Sequence, residues 1–168
     1  MAGEIVNKVA QSGLINFDLS EVYPKCERVE LDIKDQLWQG IALKEKEFRS
    51  YVNTTDWSVY KDKAVAIFCS ADAIIPSWAF MLLAVALQPH VTYLAFGNRA
   101  DLEKVICVDT IQKMNMADLL DARVIIKGCA DIPNPTFALT EITKKLTPVV
   151  KSLMFGEACS TVPLYKKK

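Results

Sequence analysis

The sequence predicts an α/β protein: a single three-layer domain with a mostly parallel sheet, Rossmann-like in topology, and an added N-terminal portion. Three observations carry this reading. Continuous apolar runs at 64–68 and 91–96 have the composition of strands covered on both faces. Each is followed by a helical stretch, giving strand–helix–strand–helix–strand–helix from residue 64 onward. The connections are short, and right-handed crossovers would bring the C-terminal ends of the three strands to one edge.

Taken in order, residues 4–11 read as a short helix, followed by an extended stretch that ends at Tyr23 and Pro24. Residues 28–34 alternate polar and apolar, which puts Val29, Leu31 and Ile33 on one face of a half-buried strand near a sheet edge. Residues 44–52 form a short amphipathic helix that stops at Asn53-Thr-Thr-Asp56. After the first buried strand, residues 77–88 are apolar nearly all round and predict a largely buried helix, bracketed by Pro76 and Pro89. The strand at 91–96 stops at Gly97-Asn98, a helix covers 99–113, and 123–127 is the third strand. Pro135 opens a last helical region reaching about residue 155, in which Pro148 marks a break.

A chain of 168 residues is long enough for one domain with a sizeable core, so 1–168 is read as a single α/β domain. Twenty basic residues balance twenty acidic ones, which excludes the electrostatic footprint of a nucleic-acid or anionic-membrane binder. Lys166-Lys-Lys168 is the one basic cluster and reads as a solvated terminus. The N-terminus carries an early acid and no long apolar run, unlike a secretory signal, and no apolar stretch approaches the ~20 residues of a membrane span. The expectation is a soluble, cytoplasmic protein, in which five scattered cysteines serve as thiols, ligands or reactive groups rather than as disulfides.

The common signatures are absent: there is no G-x-G-x-x-G, G-x-x-x-x-G-K-[ST], G-x-S-x-G, H-E-x-x-H or C-x-x-C. What remains is sulfur. Cys69 closes the strand at 64–68 and opens a loop, Cys69-Ser-Ala-Asp72-Ala-Ile-Ile-Pro76, toward a helix. A helix N-terminus nearby would favour thiolate, which is both nucleophile and metal ligand, and Asp72 could ligate a metal or orient a donor. The plain alternative is a small buried cysteine at a strand end with Asp72 making a turn bond. Cys129 follows Lys127-Gly128 past the third strand, in a loop stiffened by Pro133 and Pro135. Cys159 follows Gly156-Glu-Ala; a straight helix to 155 would carry it far from Cys129, unless Pro148 turns the chain back or a second subunit supplies the third thiol. Cys26 and Cys107 read as structural. His90, the single histidine, lies beyond the helix that starts beside Cys69 and is a poor base for it. Trp38, Trp57 and Trp78 read as packing residues.

Through Phe68-Cys-Ser-Ala-Asp-Ala-Ile-Ile-Pro-Ser-Trp-Ala79, Ile126-Lys-Gly-Cys129 and Gly156-Glu-Ala-Cys-Ser-Thr-Val-Pro-Leu-Tyr165 the chain resembles an uncharacterised bacterial family defined only as a domain of unknown function. The likeness spans nearly the whole chain from Glu4. Members resemble proteins encoded beside the sulfur-mobilisation (Suf) iron–sulfur assembly genes, which implies a role in cluster biogenesis or thiol chemistry, with Cys69, Asp72, Cys129 and Cys159 as the motif residues. The leading expectation is therefore a cytoplasmic accessory protein that binds zinc, iron or an iron–sulfur cluster through Cys69, Cys129 and Cys159, with Asp72 as an oxygen ligand or a neighbour that orients one. Iron–sulfur assembly proteins would be its partners. Two other readings stand beside it. In one, Cys69 is a low-pKa nucleophile that accepts a persulfide. In the other, the protein is a scaffold whose cysteines fill space.

Overall fold

The computed structural model describes residues 13–128, 131–157 and 160–168. Among them are seven strands and four α-helices: β1 (Leu14–Phe17), β2 (Arg28–Asp32), α1 (Glu45–Thr54), β3 (Ala64–Phe68), α2 (Ser77–Leu87), β4 (Tyr93–Phe96), α3 (Arg99–Lys113), β5 (Arg123–Ile126), α4 (Pro135–Leu146), β6 (Ser152–Glu157) and β7 (Ser160–Lys166). The α/β class and the mostly parallel pairing hold, but within two open sheets, ordered β1-β5-β6-β7 and β2-β3-β4. Every pairing is parallel except β6 with β7. The three strands expected on one edge are thus divided: β3 and β4 pair with each other, whereas β5 pairs with β1 and β6. The chain separates into a central unit, Pro24–Ile106, and a split unit made of the stretch up to Tyr23 together with Cys107–Lys168.

The central unit is two successive β-α-β crossovers, with β2 at the sheet edge that its polar–apolar alternation predicts. Val65 and Ile67 of β3, both buried, meet Phe48 and Val52 of α1 and Ala79, Leu83 and Leu87 of α2 in one core. Trp57 closes it, donating its indole N–H to the Val52 carbonyl at 2.8 Å. Trp78 packs edge-on against Phe48, while Trp38 is 43% exposed with the Lys44 ammonium over its ring. The all-round apolar character of α2 does not translate into all-round burial. Residues 79, 83 and 87, spaced by four, face the core, and Met81 and Val85 are 68% and 70% exposed.

On β2 the residues that alternate with Val29 and Leu31 bind α3. Arg28 Nε pairs with Glu103 Oε1 at 3.0 Å where both side chains are almost fully buried, and its two terminal nitrogens donate to the carbonyls of Cys26 and Pro24. Glu30 Oε1 accepts the Arg99 N–H at 3.1 Å. Asn98 Oδ1 accepts from the Ala100 and Asp101 amides, and Asp101 Oδ2 accepts the Asn98 N–H, a reciprocal cap that occupies the start of α3. Gly97 makes this turn possible: its φ is +117°, and a Cβ there would lie 2.5 Å from Asp101 Oδ2.

In the split unit β1 pairs with β5 across more than a hundred residues of sequence, and β5-α4-β6 is a crossover unit. Pro135 starts α4 after Asn134, which holds a left-handed φ of 51°. The last helix ends at Leu146 rather than near 155. Pro148 stands two residues on, and Ser152-Leu-Met-Phe155 becomes strand β6 beside β5, then pairs back onto β7 with a register shift between Leu153 and Met154. The helix expected over 4–11 lies outside the described residues. Among the described residues no helix is long and apolar enough to cross a membrane.

Removing one member of a buried ion pair leaves the other charge without its counterion, which typically costs about 3–5 kcal/mol. Glu103→Ala should therefore lower the unfolding free energy by roughly that amount, about 3–5 kcal/mol, in urea titration. A loss within the ~0.5 kcal/mol typical of surface sites would contradict the assigned role of the pair.

Candidate functional site

In the split unit β1, β5 and β6 run in the same direction and end together. Phe17, Ile126 and Phe155 are register partners across the three strands. Val124, Ile125 and Ile126 are buried, so the ladder is held from below by the core, and the Lys127 N–H extends it one step by donating to the Phe17 carbonyl at 2.9 Å. Past that row each strand delivers polar residues to one edge. β1 leads to Asp18, β5 to Lys127 and Gly128, and β6 to Gly156 and Glu157. Gly156 is required by geometry. Its φ is +119°, and a Cβ would meet the Ser160 carbonyl oxygen at 2.5 Å.

Cys129 and Cys159 themselves lie outside the described residues, as do Ala130 and Ala158. Their described neighbours, Gly128 and Asp131 for one and Glu157 and Ser160 for the other, belong to this edge or to the loop leading from it. Asp18 at the edge accepts from Ser20 Oγ at 2.6 Å and Ser20 N–H at 3.0 Å. Those hydrogen bonds, with a smaller contribution from the Lys127 charge, hold its carboxyl below the usual carboxylate value. Adjoining the edge is an open hollow of about 530 Å³ between the sheet and α4, lined mainly by Ile126, Phe155, Leu164 and Leu139 with Thr140 and Thr143. The two threonine hydroxyls donate to helix carbonyls at 2.8 and 2.7 Å, so toward the hollow they can only accept.

Cys69 is in the central unit. Its Sγ faces the Ala71 carbonyl at 3.8 Å and packs against the apolar core. α2 starts only at Ser77, eight residues on, so the helix N-terminus expected beside Cys69 is displaced along the chain. Asp72 is exposed. Cys69 and Asp72 gather no group of three His, Cys, Asp or Glu side chains able to hold a metal, and no such group occurs elsewhere among the described residues. Cys107 is 1% exposed within α3, in keeping with a structural residue. His90 follows the far end of the 11-residue α2, its carbonyl accepting the Asp62 N–H at 3.0 Å.

Two carboxylates escaped the sequence reading. Asp32, at the end of β2, accepts from Ser70 Oγ at 2.6 Å and Ser70 N–H at 3.1 Å, fastening the loop that begins at Cys69. Burial pushes the Asp32 carboxyl up, but the Ser70 and Lys34 hydrogen bonds and the Lys34 charge outweigh it and the net direction is down. Asp18 is the second. Its signal was the repeated Asp-x-Ser string, Asp18-Leu-Ser20 and Asp56-Trp-Ser58, each of which caps a 3-10 turn.

A family model described as "Protein of unknown function (DUF2480)" matches residues 3–167. The chain belongs to this family. No curated protein and no solved structure matched the sequence. The DUF2480 match spans both units and includes each cysteine named above.

Ser20→Ala should raise the Asp18 pKa toward its ordinary value of 3.8, read by NMR titration of the carboxyl carbon. The folded value is lowered, so the stability from this carboxylate is present above the unfolded value and is lost as pH falls through the folded one. In the variant that loss should shrink; an unchanged Asp18 titration would contradict the hydrogen-bond assignment.

Proposed function

We propose that this DUF2480 protein is an accessory protein that holds a metal ion, or an iron–sulfur cluster in transit, through thiolates at the split unit's sheet edge. The ligand pair is Cys129 and Cys159. The observation that carries the reading is the parallel register of Ile126 with Phe155. Cys129 stands three residues past the first and Cys159 four past the second. Neighbouring strands are ~4.8 Å apart, and three or four residues reach at most ~10–14 Å, so both thiols are tethered within range of one edge.

The donor set suits the cargo. Thiolates are soft ligands that select zinc and iron–sulfur clusters, and a pair of them leaves coordination positions open for a partner that delivers or removes the metal. Cys69 and Asp72 are omitted from the pair because Cys69 packs on the central unit's core, with its sulfur facing a carbonyl. The setting that fits is a reducing cytoplasm, where thiols stay available, and iron–sulfur assembly, the context that the sequence resemblance implies.

Protein purified without oxygen and without an affinity tag should carry zinc or iron by elemental analysis. Cys129→Ser and Cys159→Ser should each reduce that content severalfold, while Cys69→Ser leaves it unchanged. Equal metal content in all three variants and the parent would overturn the proposal.

A further inference from the structure

The same sheet has a second concave site on its other face. Side chains alternate along a strand, so Arg123 and Ser152 point away from the side that carries Ile126 and Phe155. Arg123, Ser152 and Lys166 are register partners on three adjacent strands, β5, β6 and β7, and form one row across the sheet. Met154 and Pro163, paired with each other in the next row on that face, lie beneath it. With Lys151 these residues line a groove of about 370 Å³ that no carboxylate lines among the described residues.

The groove gathers three exposed cations, Arg123, Lys151 and Lys166, a concentration of one sign of charge in a chain of twenty basic and twenty acidic residues. The carboxylate next in sequence to this region, Asp121, is hydrogen-bonded by Lys167 at 2.8 Å and also feels the Lys151 charge. Arg123 offers a planar fork that suits a phosphoryl group, two lysines add point charges, and Ser152 adds a neutral donor. Met154 and Pro163 give the floor an apolar surface, and the volume falls in the range of small-molecule sites.

We infer that this groove binds a phosphate monoester carried on an apolar body, with Arg123, Lys151 and Lys166 holding the phosphoryl oxygens and Met154 and Pro163 receiving the apolar part. The site is independent of the thiolate edge.

The test uses the whole chain and phenyl phosphate as the probe, followed by amide NMR shifts and calorimetry. Saturable binding is expected, with shifts concentrated at Ser152, Met154 and Lys166, and with inorganic phosphate binding more weakly. Arg123→Gln and Lys166→Gln should each weaken the affinity by about tenfold, the effect of losing a charge-assisted hydrogen bond. Lys166→Gln changes an exposed residue of the edge strand and keeps the test valid if Arg123→Gln fails to fold. Vesicles of phosphatidylcholine with and without phosphatidic acid separate the two sources of such a group. Sedimentation with phosphatidic acid alone assigns a lipid monoester, and phenyl phosphate binding without it assigns a soluble one. Absence of binding to both probes overturns the inference, as does binding that Lys166→Gln leaves unchanged or shifts spread over the lysines of the whole surface.

Discussion

The parallel pairing of β5 with β6 is the constraint on which the rest of the split unit depends. Parallel neighbours cannot be joined by a tight turn, so the chain leaves β5 at one edge and returns through α4 to start β6 at the other. The loop after β5 and the end of β6 therefore meet at the same edge, whatever the loops contain. Val124, Ile125 and Ile126 are consecutive and all buried, so β5 is covered on both faces, as a central parallel strand is. Alternation along the strands places the hollow beside α4 and the cationic groove on opposite faces of the sheet.

The central unit solves its packing in a different way. Its edge strand β2 uses one face for the apolar core and gives the other to α3 through a buried Arg28–Glu103 pair and a Glu30 cap. At its sheet edge the end of β2 is tied to the start of the Cys69 loop by Asp32 and Ser70. These two bonds order the loop that begins at Cys69. The thiol lies against apolar side chains and the Ala71 carbonyl.

Much of the secondary structure was legible because its signals were local. The buried strand at Ala64–Phe68, the helix from Ser77, the Gly97-Asn98 stop and the strand from Arg123 all appear where composition and turn residues put them. The misreadings arise where the deciding contacts are distant. Ser152-Leu-Met-Phe155 is a short apolar run that periodicity cannot separate from helix, and only its pairing with β5 settles it. β7 carries Pro163, which counts against a strand except at an edge, and an edge is where β7 lies. The exposure of Met81 and Val85 was hidden because hydropathy marks α2 as apolar without saying how many sides are covered. For the site, strand ends predicted positions for Cys69 and Cys129, but the separation of their strands into two sheets could not be read from a β-α-β rhythm common to both.

The most direct measurement is whether Cys129 and Cys159 share an edge, tested without reference to any metal. Mild oxidation of metal-free protein followed by peptide mapping reports it, since a disulfide forms only when two Cα atoms come within ~7 Å. A peptide linking Cys129 to Cys159 is expected as the main product, with Cys69 still alkylated as a free thiol. Products in which these two cysteines are alkylated separately, or joined to other cysteines, would contradict it.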